Sequence, residues 1–549
     1  MAELLLRGAT VVDGTGADRF RADVTVTDGL ITEVRTDRAG ARPAPSAGRV
    51  LDADGLVLAP GFIDMHSHSD LRLLVEPEHA SRVTQGITCE VLGQDGLSYA
   101  PVDDTTLAAI RRHIAGWNGD PHGFDWDWRG VGGYLDRLDT AGTAVNACYL
   151  VPHGSLRMLA VGWEDRPPTP DELHRMRALL ARGLAEGAVG MSSGLSYTPG
   201  MYADTAELVA LCEVLAAHGA YHCPHQRSYG AGALEGYAEM IEIARRTGCA
   251  LHLAHATMNF EVNRGRAGEF LTLLDEALAA GVDLTLDSYP YLPGATTLAA
   301  LLPGWATAGG PEATLARLDD PAARARIRTA LEETGSDGCH GVTADWETVQ
   351  ISGTAHPGLA DTVGRTVAAI ARDRGTGGTE VFFSLLREDR LATGILQHVG
   401  HEENVRAVMR HPAHTVGSDG LLVGARPHPR AWGTFPRYLG HYARRLGVLT
   451  LEEAVTRMTG RPARRLGLRD RGLIRPGHHA DLVLFDPDTV EDAATYEEPR
   501  RPATGIVHVH VNGVPVLRDG RTTGALPGRA LRRTEDGPRA VPPRGKAPA

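Results

Sequence analysis

Eight short β-rich runs, each ending in polar residues and most separated by helical stretches, constrain this chain more than any other feature. They are GFIDMHSH, GITCEVLGQD, VNACYLVPHG, AVGMSSG, AYHCPH, ALHLAH, VDLTLD and HTVGSD. Between them lie helical patterns such as DELHRMRALLARGLAEG and GYAEMIEIARRTG, the second closing on a glycine. Alternating β and α elements favour a parallel sheet, and eight repeats favour its closure as a TIM-like (β/α)8 barrel over residues 58–474. Within it, residues 311–410 are long and mostly helical, and are expected to form an insertion over the barrel mouth. Both chain ends read differently. LLLRGATVVDGTG and ADVTVTDGLITEV near the start, and ADLVLFDPDTV and GIVHVHVNGVPVLRDG near the end, alternate apolar and polar residues between glycine turns. That pattern predicts one small β-sandwich built from residues 1–57 and 475–527. The Arg/Pro-rich residues 528–549 are expected to be disordered.

Charge and composition then exclude function classes. The formal net charge is −12, from 56 basic and 68 acidic residues, which argues against a general nucleic-acid or anionic-membrane binder. No run of 18 apolar residues and no basic leader appear, so neither a membrane span nor a signal peptide is expected, and the chain is placed in the cytoplasm. The only lysine is Lys546, in the tail. A Schiff-base lysine, a phosphate-loop lysine and a carboxylated bridging lysine are therefore excluded. The six cysteines contain no CxxC pair and do not form a disulfide framework in so long a chain.

Reactive groups in such a barrel sit at the carboxyl ends of its strands. His66 and His68 end the first run with a spacing of two, which puts both side chains on one face of a strand. Asp95 ends the second run, His225 the fifth, His255 the sixth and Asp419 the eighth. Any one of these histidines alone is more often structural, but the ordered set offers nitrogen and oxygen ligands suited to zinc or a similar divalent ion. His153 closes the third run and Tyr197 lies in GLSYTPG, so both are candidates for the substrate side. His222 and His252, three residues before proposed ligands, are read as structural.

Several segments go further. PGFIDMHSHSD, EGAVGMSSGLSYTPG, DSYPYLPGATTLAALLPGW, HPAHTVGSDG and HPRAWGTFPRYL resemble the N-acyl-D-amino-acid deacylases (D-aminoacylases) of the amidohydrolase superfamily. The resemblance runs from about Leu4 to Asp519. It implies a metal-dependent hydrolase cleaving the amide bond of N-acyl-D-amino acids by a metal-activated water. It also implies one tight zinc position at His225 and His255, and a second, weaker position around His66, His68 and Asp419, with other divalent ions acceptable. Asp419 matches the catalytic aspartate. Asp95 stands where the family carries a bridging cysteine; Cys89, six residues earlier, is the lesser alternative. Tyr289 and Arg430 match positions that hold the substrate carboxylate. The family's lysine and serine at that carboxylate are replaced by Thr257 and Ala295, and Arg227 matches an arginine of unassigned role.

Two other readings compete. One keeps the metal hydrolase but changes the substrate to a cyclic amide, a carbamoyl compound or another acylated amine lacking a free α-carboxylate. The other is a non-catalytic assembly protein on the same fold, which predicts decay of the ligand set. The expected partner is a small-molecule substrate, with no nucleic acid and no membrane; a homo-oligomer is compatible with the sequence.

Overall fold

A computed structural model describes residues 2–36, 47–534 and 539–540. The eight runs form eight parallel strands: β1 (Phe62–Asp64), β2 (Ile87–Leu92), β3 (Asn146–Pro152), β4 (Gly190–Gly194), β5 (Tyr221–His225), β6 (Ala250–Leu253), β7 (Leu284–Ser288) and β8 (His414–Val416). They pair in that order, 1 to 8. The ring is nearly closed: β1 and β8 share no ladder, but the Met65 amide donates to the Val416 carbonyl at 3.1 Å and Ser67 bridges Gly420. Helices on the outside bury one stripe each. Pro170–Ala185 starts in a capping box between Thr169 and Glu172 and turns Met176, Leu180 and Leu184 inward. Ala233–Thr247 ends at Gly248, whose φ of 69° is the left-handed conformation that closes a helix at least cost in glycine. No helix among the described residues is long and apolar enough to cross a membrane.

The chain ends meet in one small β-domain, its nine strands joined in a single hydrogen-bonded network. Its N-terminal strands run from Ala2 to Pro60, and Leu482–Phe485 pairs antiparallel with Val57–Pro60. Three hairpins turn on Asp28-Gly29, Asn512-Gly513 and Asp519-Gly520, all at positive φ, as two-residue turns matched to strand twist require. Alternation divides the faces: Leu482 and Leu484 enter the small domain's own core, while Val483 and Phe485 join the barrel's outer core.

Two expected boundaries shift. The insertion starts earlier and ends earlier than 311–410, because a three-stranded antiparallel sheet (Gly294–Thr297, Gly394–Gln397, Val349–Gly353) ties its ends together around a separate core that includes Leu298, Phe382 and Ile395. Helix Glu402–Arg410 packs on β7 and β8 and belongs to the barrel. The tail is the second correction. Residues 528–534 are ordered against the barrel floor: the Ala147 amide donates to the Arg529 carbonyl at 3.0 Å, and Leu531 is fully buried among the barrel's interior side chains. Arg532 lies 2.7 Å from Asp136 and 2.5 Å from Asp139. The rest of the expected tail, apart from the short strand Arg539–Ala540, lies outside the described residues.

Candidate metal centre

Six buried side chains converge at the carboxyl ends of the strands. His66 and His68 follow β1, Asp95 follows β2, His225 ends β5, His255 follows β6 and Asp419 follows β8; none is more than 6% exposed. Asp95, His255 and Asp419 hold φ values of 54°, 30° and 50°, a left-handed backbone that costs non-glycine residues free energy and that concentrates at functional sites. Each turn lifts its side chain from the strand end toward the barrel axis.

Asp95 is the centre of the arrangement. Its Oδ1 lies 3.5 Å from His66 Nε2 and 3.4 Å from His255 Nε2; its Oδ2 lies 3.6 Å from His68 Nε2 and 3.6 Å from His225 Nδ1. These separations are too long for good hydrogen bonds. They match the edge of a tetrahedron around one ion, about 3.4 Å for ligands about 2.1 Å from zinc. Two overlapping groups result, His66–His68–Asp95–Asp419 and Asp95–His225–His255, with the ligand atoms of each within 4.8 Å of one another. Both ring nitrogens of His66 and Oδ1 of Asp95 are buried with no hydrogen-bond partner. Unused lone pairs at this depth are costly unless something positive takes them, so the donor set fits a divalent ion.

Electrostatics point the same way. Burial alone would depress the His68 imidazole, yet the hydrogen bond with Asp419 and the close carboxylates of Asp95 and Asp419 push it up to about 10. Burial works against the charged form of Asp95 too, and the facing imidazoles of His255, His66 and His225 hold it well below the usual carboxylate range. Asp419 is held low against burial by the Arg430 guanidinium, His66 and a hydrogen bond with His68. The carboxylates demand positive charge, and a divalent ion satisfies that demand without a proton.

The remaining predicted residues divide. Tyr197 lines the pocket, its ring 4.6 Å from that of His225 and its hydroxyl 3.0 Å from Thr296 Oγ1. Arg430, fully buried, places Nη1 2.9 Å from Asp419 Oδ2 and stacks its guanidinium 4.4 Å from the centre of the Tyr289 ring. Thr257 and Ala295 line the pocket as expected for positions facing substrate. His153 does not: its Nε2 lies 2.6 Å from Glu207, which also pairs with Arg157, and this fully buried network stands apart from the pocket wall. A helix that starts at His153 turns the ring away from the strand end. Arg227 pairs with Glu239 at 2.6 Å, and Cys89 is buried in the barrel's interior apolar cluster.

Several residues of the site and its surroundings escaped the sequence reading, among them Asp287, Trp117 and His340. Asp287, fully buried in β7, receives the His255 amide at 3.0 Å, binds His252 Nε2 at 3.1 Å and faces His66 Nδ1 at 3.6 Å, so it steers two ligands at once. Its position near the end of VDLTLD was the available signal. Trp117, in the β2–β3 connection, packs its ring 5.1 Å from that of His68. His340 reaches the pocket from the insertion, and its buried Nδ1 has no partner.

The sequence profile of the amidohydrolase family matches residues 49–517. The chain belongs to that family. It is 37% identical over 533 residues to an N-acyl-D-glutamate deacylase of Alcaligenes xylosoxydans xylosoxydans, covering 97% of this chain and 96% of that one. Among solved structures, a D-aminoacylase whose binuclear metal centre shows activation by one metal and attenuation by a second superposes with a TM-score of 0.81 at 34% identity, covering 97% of this chain and 100% of that one. An N-acyl-D-glutamate deacylase from Bordetella bronchiseptica, complexed with zinc and a phosphonate that mimics the tetrahedral intermediate, gives 0.80 at 34% identity, covering 97% and 99%. The chain is thus a hydrolase of the D-aminoacylase type, with candidate metal-ligand groups at its barrel mouth.

Proposed function

We propose that this chain hydrolyses N-acyl-D-amino acids to a carboxylic acid and a D-amino acid, with zinc as its metal. The observation that carries the reading is the junction of Asp419 with both the ligand cluster and Arg430: one oxygen lies 3.1 Å from His68 Nε2, the other 2.9 Å from Arg430. His225, His255 and Asp95 would hold one ion, and His66, His68 and Asp419 a second position sharing Asp95. A divalent ion bound there would supply a water acidified toward a pKa of ~7 and Lewis acidity toward the scissile carbonyl. Asp419, kept ionised by its neighbours, accepts the proton of the attacking water and returns it to the leaving nitrogen. Trp117, Tyr197 and Tyr229 exclude bulk water from the pocket and strengthen each of these contacts. The convergence of all six ligands counts against a retired, non-catalytic barrel.

One observation favours the second substrate reading. Arg430 is buried and ion-paired with Asp419, with Nε and Nη1 making no hydrogen bond; Thr257 bonds to Asn259 at 2.8 Å, and Ala295 offers no side-chain donor. Tyr289 remains, its phenol pushed up to about 12 by burial and so a neutral donor. With Thr257 and Ala295 at the other two positions, an α-carboxylate is left with Arg430 and Tyr289 as donors, at ~1.5–3 kcal/mol for each charged hydrogen bond lost. The test is a panel of N-acyl-D- and L-amino acids, their primary amides and hydantoins, with zinc, cobalt and manganese supplied separately. Turnover of the D-acids supports the first reading. Faster turnover of the amides or hydantoins moves the assignment to substrates lacking the carboxylate. Asp95→Ala should lower bound metal; a carboxylate bridge should tolerate manganese and cobalt better than a thiolate would.

A further inference from the structure

Behind the Trp117–Tyr197 side of the pocket lies a second cavity, of about 180 Å³, between the barrel and the insertion. It exceeds the ~150 Å³ apolar cavity that accepts a benzene ring. Its position in the ring of strands gives it meaning. Tyr197 follows β4 and Asp419 follows β8, and in a ring of eight these two strands face each other across the axis. Trp117, 3% exposed, stands beside Tyr197 with ring centroids 5.0 Å apart, and both side chains line the metal pocket on one side and the cavity on the other. Ser196, whose hydroxyl lies 2.6 Å from His225 Nε2, is also part of the cavity wall. The rest of the wall is mostly apolar, with Leu97, Ile114, Met201, Leu302 and Leu315 interrupted by the buried Thr198, Thr297 and Thr314. Its charges lie at the solvent end, where exposed Glu312 sits 3.0 Å from Arg390 and 3.7 Å from Arg112.

An amide bound with its nitrogen toward Asp419 and Arg430 directs its acyl carbon the opposite way, toward β4. We propose that this cavity is the acyl pocket and that the preferred substrates carry medium-length aliphatic acyl groups rather than acetyl. The inference rests on the proposed hydrolase reading, which supplies the direction of the amide. The Trp117 and Tyr197 rings, in edge contact, form the partition between the metal pocket and the cavity and would have to part for an acyl chain to enter; the insertion forms the far wall. Burial of each added methylene should raise kcat/KM by roughly fourfold until the cavity is full.

The experiment measures kcat/KM of the metal-loaded enzyme for one D-amino acid carrying acetyl, butyryl, hexanoyl and octanoyl groups, in the wild type and in Ala300→Phe and Ala392→Phe, which fill the cavity from the insertion side. Calorimetric binding of octanoate against acetate runs in parallel and needs no turnover. The expected results are a rise of at least tenfold from acetyl to octanoyl in the wild type, loss of that rise in both variants with acetyl turnover kept within twofold, and octanoate binding that both variants abolish. A flat or falling series in the wild type overturns the proposal, as does an equal loss of acetyl and octanoyl turnover in both variants. If no N-acyl-D-amino acid is hydrolysed, the hydrolase reading fails by itself. Octanoate binding lost on filling then still supports an aliphatic pocket, and octanoate binding that is absent or unchanged on filling overturns it.

Discussion

Alternate residues of one short segment feed two buried polar clusters, and the clusters behave in opposite ways. His66 and His68 point into the barrel mouth; Ser67 and Ser69, between and after them, point outward to Glu90 and Arg82. In the outward cluster the polar groups pair with one another. Arg82 Nε binds Glu90, its other nitrogens reach Ser67, Ser69 and the Ala431 carbonyl, His79 binds Glu90 at 2.8 Å, and Asp64 accepts from Ser418. Among the described residues, no side-chain atom of that cluster is buried without a partner, whereas His66 and Asp95 in the inward cluster keep three such atoms. In this pair, the outward charges neutralise one another, while the inward ligand atoms are left open for something the chain does not contain.

The largest expected effect breaks the inward cluster's chemistry without emptying it. Asp419→Asn removes the proton acceptor while keeping shape, so kcat should fall by roughly 10²–10⁴ with bound metal largely retained. Turnover and metal content on the same preparation check this; full activity would remove Asp419 from the reaction. The mirror experiment is Arg82→Met in the outward cluster. It strands Glu90, whose carboxyl is held low against burial by His79 and Arg82, and should cost about 3–5 kcal/mol of stability, read as a lowered unfolding midpoint. Metal per folded molecule should not change. If Arg82→Met instead loses metal at normal stability, the two clusters are one functional unit and the contrast fails.

A smaller effect sharpens the boundary between them. Asp287→Asn should weaken metal binding by roughly 10–100-fold, because Asp287 sets the His66 ring and the His255 backbone rather than binding the ion. Titration of the metal-free protein with zinc measures it; unchanged affinity would make Asp287 a core residue only.

These contrasts also explain what the sequence disclosed. The eight strands were legible because each carries its own apolar run and polar end, and the six converging side chains because they sit at those ends. Asp287 sits at a strand end as well, but its role depends on facing His66 across the sheet, which no spacing within β7 encodes. His340 and Trp117 come from long connections whose path over the barrel is set by the insertion's separate core. His153 misled because a strand-end histidine can be turned aside by the helix that begins at it. The order of residues 528–534 depends on Asp136 and Asp139, nearly four hundred residues earlier.

The smallest effect compares two histidines on one strand. His222 and His225 are three apart in β5, so they face opposite sides: His225 enters the ligand cluster, while His222 binds Ser193 Oγ at 2.8 Å beneath it. Burial, with the nearby His153, pushes the His222 imidazole down to about 3, against about 6.5 in an unfolded chain. Between those values the unfolded state binds one more proton than the native state. Stability from this residue is therefore complete above about pH 6.5 and falls as the pH drops, by at most about 1.4 kcal/mol per pH unit. His222→Gln removes that proton, so acidification from pH 7.5 to 5 should cost the variant about 2 kcal/mol less than the wild type, seen as a shallower fall of the unfolding midpoint. Because His222 is no ligand, the difference in slope should be the same with and without added zinc, whereas the acid sensitivity of the ligand cluster should shift with metal supply. Coincident slopes for the two proteins would mean that His222 titrates normally. A zinc-dependent difference would place it in the metal centre with His225.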